Sequence, residues 1–217
     1  MYKILFLGKI FSTGGSFMLK KKFFIIFLFF LSFLLYTSFY SINIQKNISD
    51  KVIRLHVIAN SNSAIDQSIK LKVRDEIVKN ISPLLNNCSN IVESRTVLNN
   101  NLYKIEQIAN TTLKKYCNDK ATASISNSNF PTKTYDNFSF PAGNYEALKV
   151  VIGEGKGENW WCVMFPPLCF TNSSVEFSDD AIETLKQNLS DEEYEFISES
   201  NKSNVKIKFK LLEWLNK

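Results

Sequence analysis

A chain of 217 residues, 45% hydrophobic, is long enough to bury one core. The first 45 residues carry Lys3, Lys9, Lys20, Lys21 and Lys22 and no acid, so they account for the whole formal net charge of +5. The rest is electrically neutral, which excludes a nucleic-acid surface, because that needs local positive charge to displace counterions.

Lys20 to Lys22 open an apolar run. From Phe23 to Tyr36 only Ser32 is polar, and no charge follows until Lys46. Such a run belongs in a membrane or a translocon, since burying charge in hydrocarbon is expensive. The flanking lysines should stay cytoplasmic, which places the chain after Tyr40 outside. Residues 18–45 therefore read as a signal peptide or a membrane anchor. The apolar run is short enough for the former; extended to Ile44 it reaches about 30 Å, enough for the latter. Met18 begins MLKKKFF, a signal-peptide start in its own right, so residues 1–17 read as a non-native upstream extension.

KVIRLHVIAN is β-branched and alternating, which predicts a strand from Val52 to Ile58. Ser63 and Asp66 then have the spacing of an N-cap and N3 acid. Ile65, Ile69, Val73, Ile77 and Ile81 give the following helix one apolar face, with Lys70, Arg74 and Lys79 off it and Pro83 stopping it near Ser82. A second helix is predicted from Val92 to Tyr116, burying Leu98, Leu102, Ile105, Ala109 and Leu113. ATASISNSNF switches to a period of two, with Ala121, Ala123 and Ile125 on one side. Asn144–Ile152 and Asn159–Phe165 read as a hairpin across GEGKGE. Asp179–Gln187 reads as a short helix, and Ser190 caps another. NVKIKFKLLEWLNK is open between a strand over Val205–Phe209 and a helical turn at Leu211–Leu215. Clustered strands predict an antiparallel or mixed sheet packed with two long helices, an α+β single domain over residues 51–217.

Signals for chemistry are few. His56, the one histidine, sits in the first strand with no recognisable nucleophile motif, so packing or surface contact explains it better than proton transfer. No Gly-x-Ser-x-Gly occurs, and no aspartate precedes Thr-Gly or Ser-Gly. Gly153–Glu158 has the glycines of a phosphate loop, but it lacks the Gly-Lys-Ser/Thr ending and joins two strands. The four cysteines contain no Cys-x-x-Cys, so neither metal nor cofactor is expected. Outside the membrane a disulfide is the natural use of cysteine. Cys162 and Cys169 flank VMFPPL, whose prolines can turn the chain back; Cys88 and Cys117 lie at opposite ends of the predicted second helix, too far apart to join. In WWCVMFPPLCF, alternation puts Trp160, Cys162 and Met164 on one face and Trp161, Val163 and Phe165 on the other. At least one tryptophan should pack inward.

RLHVIANSNSAIDQSIKLKVRD and FPTKTYDNFSFPAGNYEALKVVIGEGKGENWWCVMFPPLCF, in that order behind an export segment, strongly resemble the stage II sporulation protein R family. The match runs from about Lys51 to Phe170; Asp136 stands where glycine is expected. The resemblance implies a non-enzymatic signal, made in the forespore and exported into the space between the two membranes around it. There it would trigger a membrane-embedded aspartic protease of the mother cell, which removes the pro-sequence of sigma-E. The catalytic aspartates would belong to that partner. Asn60, Ser61, Trp160, Trp161, Pro166 and Pro167 are the candidate partner contacts. The alternative is an extracytoplasmic hydrolase acting on cell wall or peptide through His56.

Overall fold

The computed structural model describes residues 13–135, 137–169 and 179–198. The expected C-terminal strand or turn over Val205–Leu215 lies outside them, as do Asp136 and Phe170. The chain divides into two compact units, Met1–Asn43 and Ile44–Lys217.

The first unit is helical. Helix α1 spans Thr13–Ser49 and continues into the second unit. Its Lys20–Ser49 portion is long and apolar enough to cross a membrane, and none of its most apolar window is buried. That composition suits a signal peptide or membrane anchor.

The second unit contains β1 (Ile53–Ile58), α2 (Ala64–Leu85), α3 (Ile91–Asn100), α4 (Leu102–Leu113) and β2 (Ala121–Phe130). It continues with β3 (Lys133–Tyr135), β4 (Phe138–Phe140), β5 (Gly143–Ile152), β6 (Asn159–Phe165), α5 (Asp179–Asn188) and α6 (Asp191–Ser198). Four strands form one mixed sheet in the order β2-β5-β1-β6, and β3 pairs with β4 apart from it. The fold is α+β, as expected.

Strand β1 runs parallel to β5 and antiparallel to β6. The hairpin expected between β5 and β6 does not form, because β1 lies between them. The reason is burial: Ile53, Leu55 and Val57 are fully shielded on one face and Arg54 and His56 are shielded on the other. A strand buried on both faces belongs inside a sheet, and β1 takes that place.

On one face, α2, α3 and α4 cover Ile53, Leu55, Val57, Leu148 and Val150. Helix α2 begins as the sequence predicts: Ser63 Oγ accepts from Asp66 N–H at 3.1 Å. It passes through Pro83 and ends at Leu85, three residues beyond the expected stop. Pro83 is exposed, and the continued turn buries Leu85 completely, which offsets the hydrogen bond the proline cannot make. Lys70 and Arg74 are not on the solvent side. Lys70 Nζ donates to Glu158 O at 3.0 Å, and the Arg74 guanidinium lies 4.1 Å from the Trp160 ring centroid. Strand β6 and the residue before it supply partners that the helical period alone could not reveal. Ile65, on the expected apolar face, is exposed in the first turn.

The predicted second helix is two, α3 and α4, broken at Asn101. Side chains of the Asn99–Asn101 run compete for main-chain carbonyls: Asn99 Nδ2 donates to Arg95 O and Asn101 Nδ2 to Val97 O. The expected apolar stripe survives the break, with Leu98, Ile105, Ala109 and Leu113 fully buried.

The other face packs Phe130, Phe138, Phe140, Tyr145 and Val163 against α5, α6 and the last turns of α1 at Ile44 and Ile48. Ser190 and Glu193 form a reciprocal capping box at the start of α6. Glu193 also pairs with Lys51 at 2.6 Å, just before β1.

The loop 153–158 connects β5 to β6 by arching over the chain that leaves β1. Gly157 N–H donates to Ala59 O, Lys156 N–H to Asn60 O, and Glu158 N–H to Asn62 Oδ1. The Gly157 Cα comes so close to the Ser61 carbonyl that a Cβ there would collide with it. Gly157→Ala should therefore lower unfolding free energy by about 1–3 kcal/mol in urea titrations. Unchanged stability would show that the arch is not a constraint.

Candidate functional site

RLH places Arg54 and His56 on the same face of β1, and the fold buries that face under aromatic rings. Arg54 is fully buried. Its guanidinium carbon lies 4.4 Å from the centroid of Phe130, 4.9 Å from Tyr145, 5.5 Å from Phe140 and 5.9 Å from Tyr135. Nε donates to Cys162 O and Nη2 to Tyr135 Oη, both at 3.0 Å. Tyr135 Oη in turn donates to Trp161 O at 2.9 Å. Nη1 has no hydrogen-bond partner among the described residues. No carboxylate among the described residues pairs with this guanidinium; ring faces and carbonyl oxygens take that role. Burial pushes Tyr145 up to about 12, against the opposing pull of the Arg54 charge. Burial also raises Tyr135. Both phenols therefore stay neutral donors; that of Tyr145 goes to Pro141 O at 2.7 Å.

His56 stacks on Trp161, with ring centroids 4.0 Å apart, and meets the edge of Phe130. Its Nε2 lies 2.8 Å from Asn159 Oδ1, which places the proton of the neutral ring on Nε2. Nδ1 is buried without a hydrogen-bond partner among the described residues. Burial holds the ring below its usual pKa, and Lys149 adds to this, while the Asn159 bond opposes it. The immediate neighbours of the imidazole are thus an amide and two aromatic rings. Packing accounts for all of them.

The corner after β1 is a local hydrogen-bond knot. Asp66 accepts from Ser61 Oγ at 2.5 Å and from Asn60 Nδ2 at 3.2 Å. These bonds hold its carboxyl below the usual range, that from Ser61 most strongly. Asn60 Oδ1 also accepts from Glu154 N–H at 2.9 Å. The serines and aspartate of SNSAID cap a helix and anchor a loop.

The six candidate contacts do not form one patch. Asn60 and Ser61 sit where the loop 153–158 crosses the chain, next to the start of β6. Trp160 and Trp161 are each half-buried, on opposite faces of the sheet. Pro166 is buried and Pro167 half-buried beyond the far end of β6, after a cis Phe165–Pro166 bond. Phe165 does not share a face with Trp161 and Val163. A register shift between Ile53 and Arg54 turns it toward the helical layer. Cys162 and Cys169 are joined as a disulfide, with Cα atoms 5.6 Å apart. Cys88 and Cys117 are free. Tyr116 lies under Lys72, while Cys88 follows the end of α2 at Leu85, so roughly 20 Å of helix lies between the surroundings of the two thiols.

The sequence reading passed over Arg54, Phe130, Tyr135 and Tyr145. The available signal was the alternation that pairs Arg54 with His56; what it lacked was the second buried layer.

Two outcomes follow for this centre. Arg54→Lys should cost about 2–5 kcal/mol, and more than Arg54→Met, since the ammonium keeps a buried charge but loses the forked donors. Equal losses by chemical denaturation would refute the cage. For His56, the folded pKa lies below the unfolded value of about 6.5, so its effect on stability is absent above that pH. As pH falls below about 6.5 the unfolded chain takes up the proton first and stability declines. Denaturation of His56→Gln across this range should lack that decline.

Among known proteins, the sequence model of the family described as stage II sporulation protein R matches residues 49–175. The protein named stage II sporulation protein R in Bacillus subtilis (strain 168) is 35% identical over 183 residues, covering 78% of this chain and 82% of the relative. No solved structure matches. With the family model spanning the whole sheet and a relative aligned over most of its length, this chain belongs to the stage II sporulation protein R family and is a sporulation protein.

Proposed function

We propose that this protein is an exported signal which, by contact alone, activates a membrane-embedded aspartic protease of the mother cell to process the sigma-E precursor. The observation that carries the reading is membership of the sporulation family together with the apolar segment Lys20–Ser49 ahead of a neutral body. Residues 18–45 deliver the chain to the membrane, as a cleaved signal or an anchor, and residues 51–217 act in the space between the forespore and mother-cell membranes. Residues 1–17 form an upstream extension outside this role. Cleavage chemistry stays with the partner, and the surroundings of His56 suit that division: its ring nitrogen faces Asn159 and its plane lies on Trp161. A contact surface at Asn60, Ser61 and the neighbouring Trp160 fits the rigid corner that the loop 153–158 braces. Trp161, Pro166 and Pro167 lie apart from this corner, on the other face of the sheet and beyond the far end of β6.

Full-length protein, the protease and the sigma-E precursor, co-expressed in cells that do not sporulate, should yield the shortened sigma factor. Precursor that stays intact would overturn this reading. His56→Gln should process at a rate within about twofold of wild type, because a group that packs contributes nothing to the partner's chemistry, whereas loss of a proton-transfer group typically costs 10²–10⁴-fold.

A further inference from the structure

The two edges of the sheet are finished differently. On β6, the carbonyl of Trp161 accepts from Tyr135 and that of Val163 from Leu168 N–H. On β2, only the first half is covered. Asn110 of α4 bonds Ala121 through both main-chain groups, at 2.9 and 3.0 Å, and Glu106 accepts from Ala123 N–H at 3.2 Å. These bonds fix the direction of the strand: its odd-numbered residues turn their main chain away from β5, while Lys120 O, of the other parity, accepts from Gly153 N–H. Beyond Ala123 the outward positions are Ile125, Asn127 and Asn129. Their outward N–H and C=O groups make no hydrogen bond among the described residues.

Among the described residues, nothing that ordinarily blunts a strand edge is present beyond Ala123. Ala121–Phe130 contains no charge and no proline, and its ladder to β5 runs through all ten residues without a register shift. Tyr103 adds a second feature. It shares one face of α4 with Glu106 and Asn110, one turn past the last covered position, and it is 75% exposed.

We propose that Ile125–Asn129 is a β-augmentation site that takes an extended segment of the partner protein as a fifth strand of the sheet. The unpaired main chain would supply the hydrogen bonds, and Tyr103 would receive an apolar side chain of that segment. A second copy of this chain fits less well. Two β2 strands paired about Asn127 would set residue 131 against Ala123, where Glu106 already occupies the edge. Only five residues of ladder remain, little against the roughly 1,200–2,000 Å² of a stable interface. A flexible segment needs only those five residues and can bend around Tyr103. The proposal rests on the contact-signal reading above and names a surface that reading does not include.

The test is the same co-expression assay with the full chain. Asn127→Pro removes an outward N–H and leaves the inward-facing ladder to β5 intact. Asn127→Lys with Asn129→Lys charges two exposed side chains at the same edge and guards against misfolding of the proline variant. Both should cut sigma-E processing at least tenfold at unchanged melting temperature. Thr122→Lys, a charge beside the covered half, should leave it unchanged. If wild type processes the precursor and the double-lysine variant does so equally well, the site is refuted while the signalling reading stands. If wild type gives no processing, that reading fails and takes this proposal with it. Sedimentation showing a wild-type dimer that the double-lysine variant abolishes would assign the edge to a second copy and overturn the proposal.

Discussion

A buried guanidinium that no carboxylate among the described residues pairs with sets the terms for this fold. An isolated charge inside a protein costs several kcal/mol unless its surroundings replace water. Around Arg54 that replacement comes from five separate parts of the chain: Phe130 at the end of β2, Tyr135 in β3, Phe140 in β4, Tyr145 in β5 and the Cys162 carbonyl in β6. Each ring contributes modestly, on the order of 0.5–2 kcal/mol. Their sum is available only when the sheet, the β3–β4 hairpin and the central strand are assembled together. The arginine thereby ties the register of β1 to the positions of β2, β3, β4, β5 and β6.

The same strand explains the connection that follows. With β1 occupying the middle of the sheet, β5 and β6 must be joined over its end. The glycines of the loop 153–158 allow that crossing: Gly153 and Gly155 take positive φ angles of 56° and 62°, and Gly157 clears the Ser61 carbonyl. What resembles a phosphate loop in sequence is a backbone arch. The asparagines and serines beneath it use their side chains to hold the arch and to start α2, leaving little of their polarity for chemistry.

The Arg54–His56 centre is shielded from solvent, packed among the aromatic rings on one face of the sheet. The exposed features are a braced corner at one end of the sheet and a half-open edge at its side. Both offer main-chain and amide groups in fixed positions, the kind of recognition that reads a partner's shape and backbone.

Local chemistry was legible in the sequence wherever neighbours in the chain decide the outcome. The apolar run after Lys22, the Ser63 cap with Asp66, the stripe from Leu98 to Leu113 and the α+β class all follow from spacing along one element. So does the proximity of Cys162 to Cys169, which two prolines bring back together. The break at Asn101 was visible only as a run of three asparagines whose competition with the main chain could not be weighed locally. Strand order was beyond reach, because a glycine-rich loop between two alternating segments signals a hairpin unless a third strand claims the space between them. Likewise Lys70 and Arg74 looked solvated until the loop before β6 supplied the Glu158 carbonyl and β6 supplied Trp160, and Arg54 looked like an ordinary strand residue until four rings closed around it. Sequence by itself determined most of the segments that form and the apolar helix near the N-terminus. Tertiary structure alone decided which polar groups are buried, since that depends on partners from distant segments that no local pattern records.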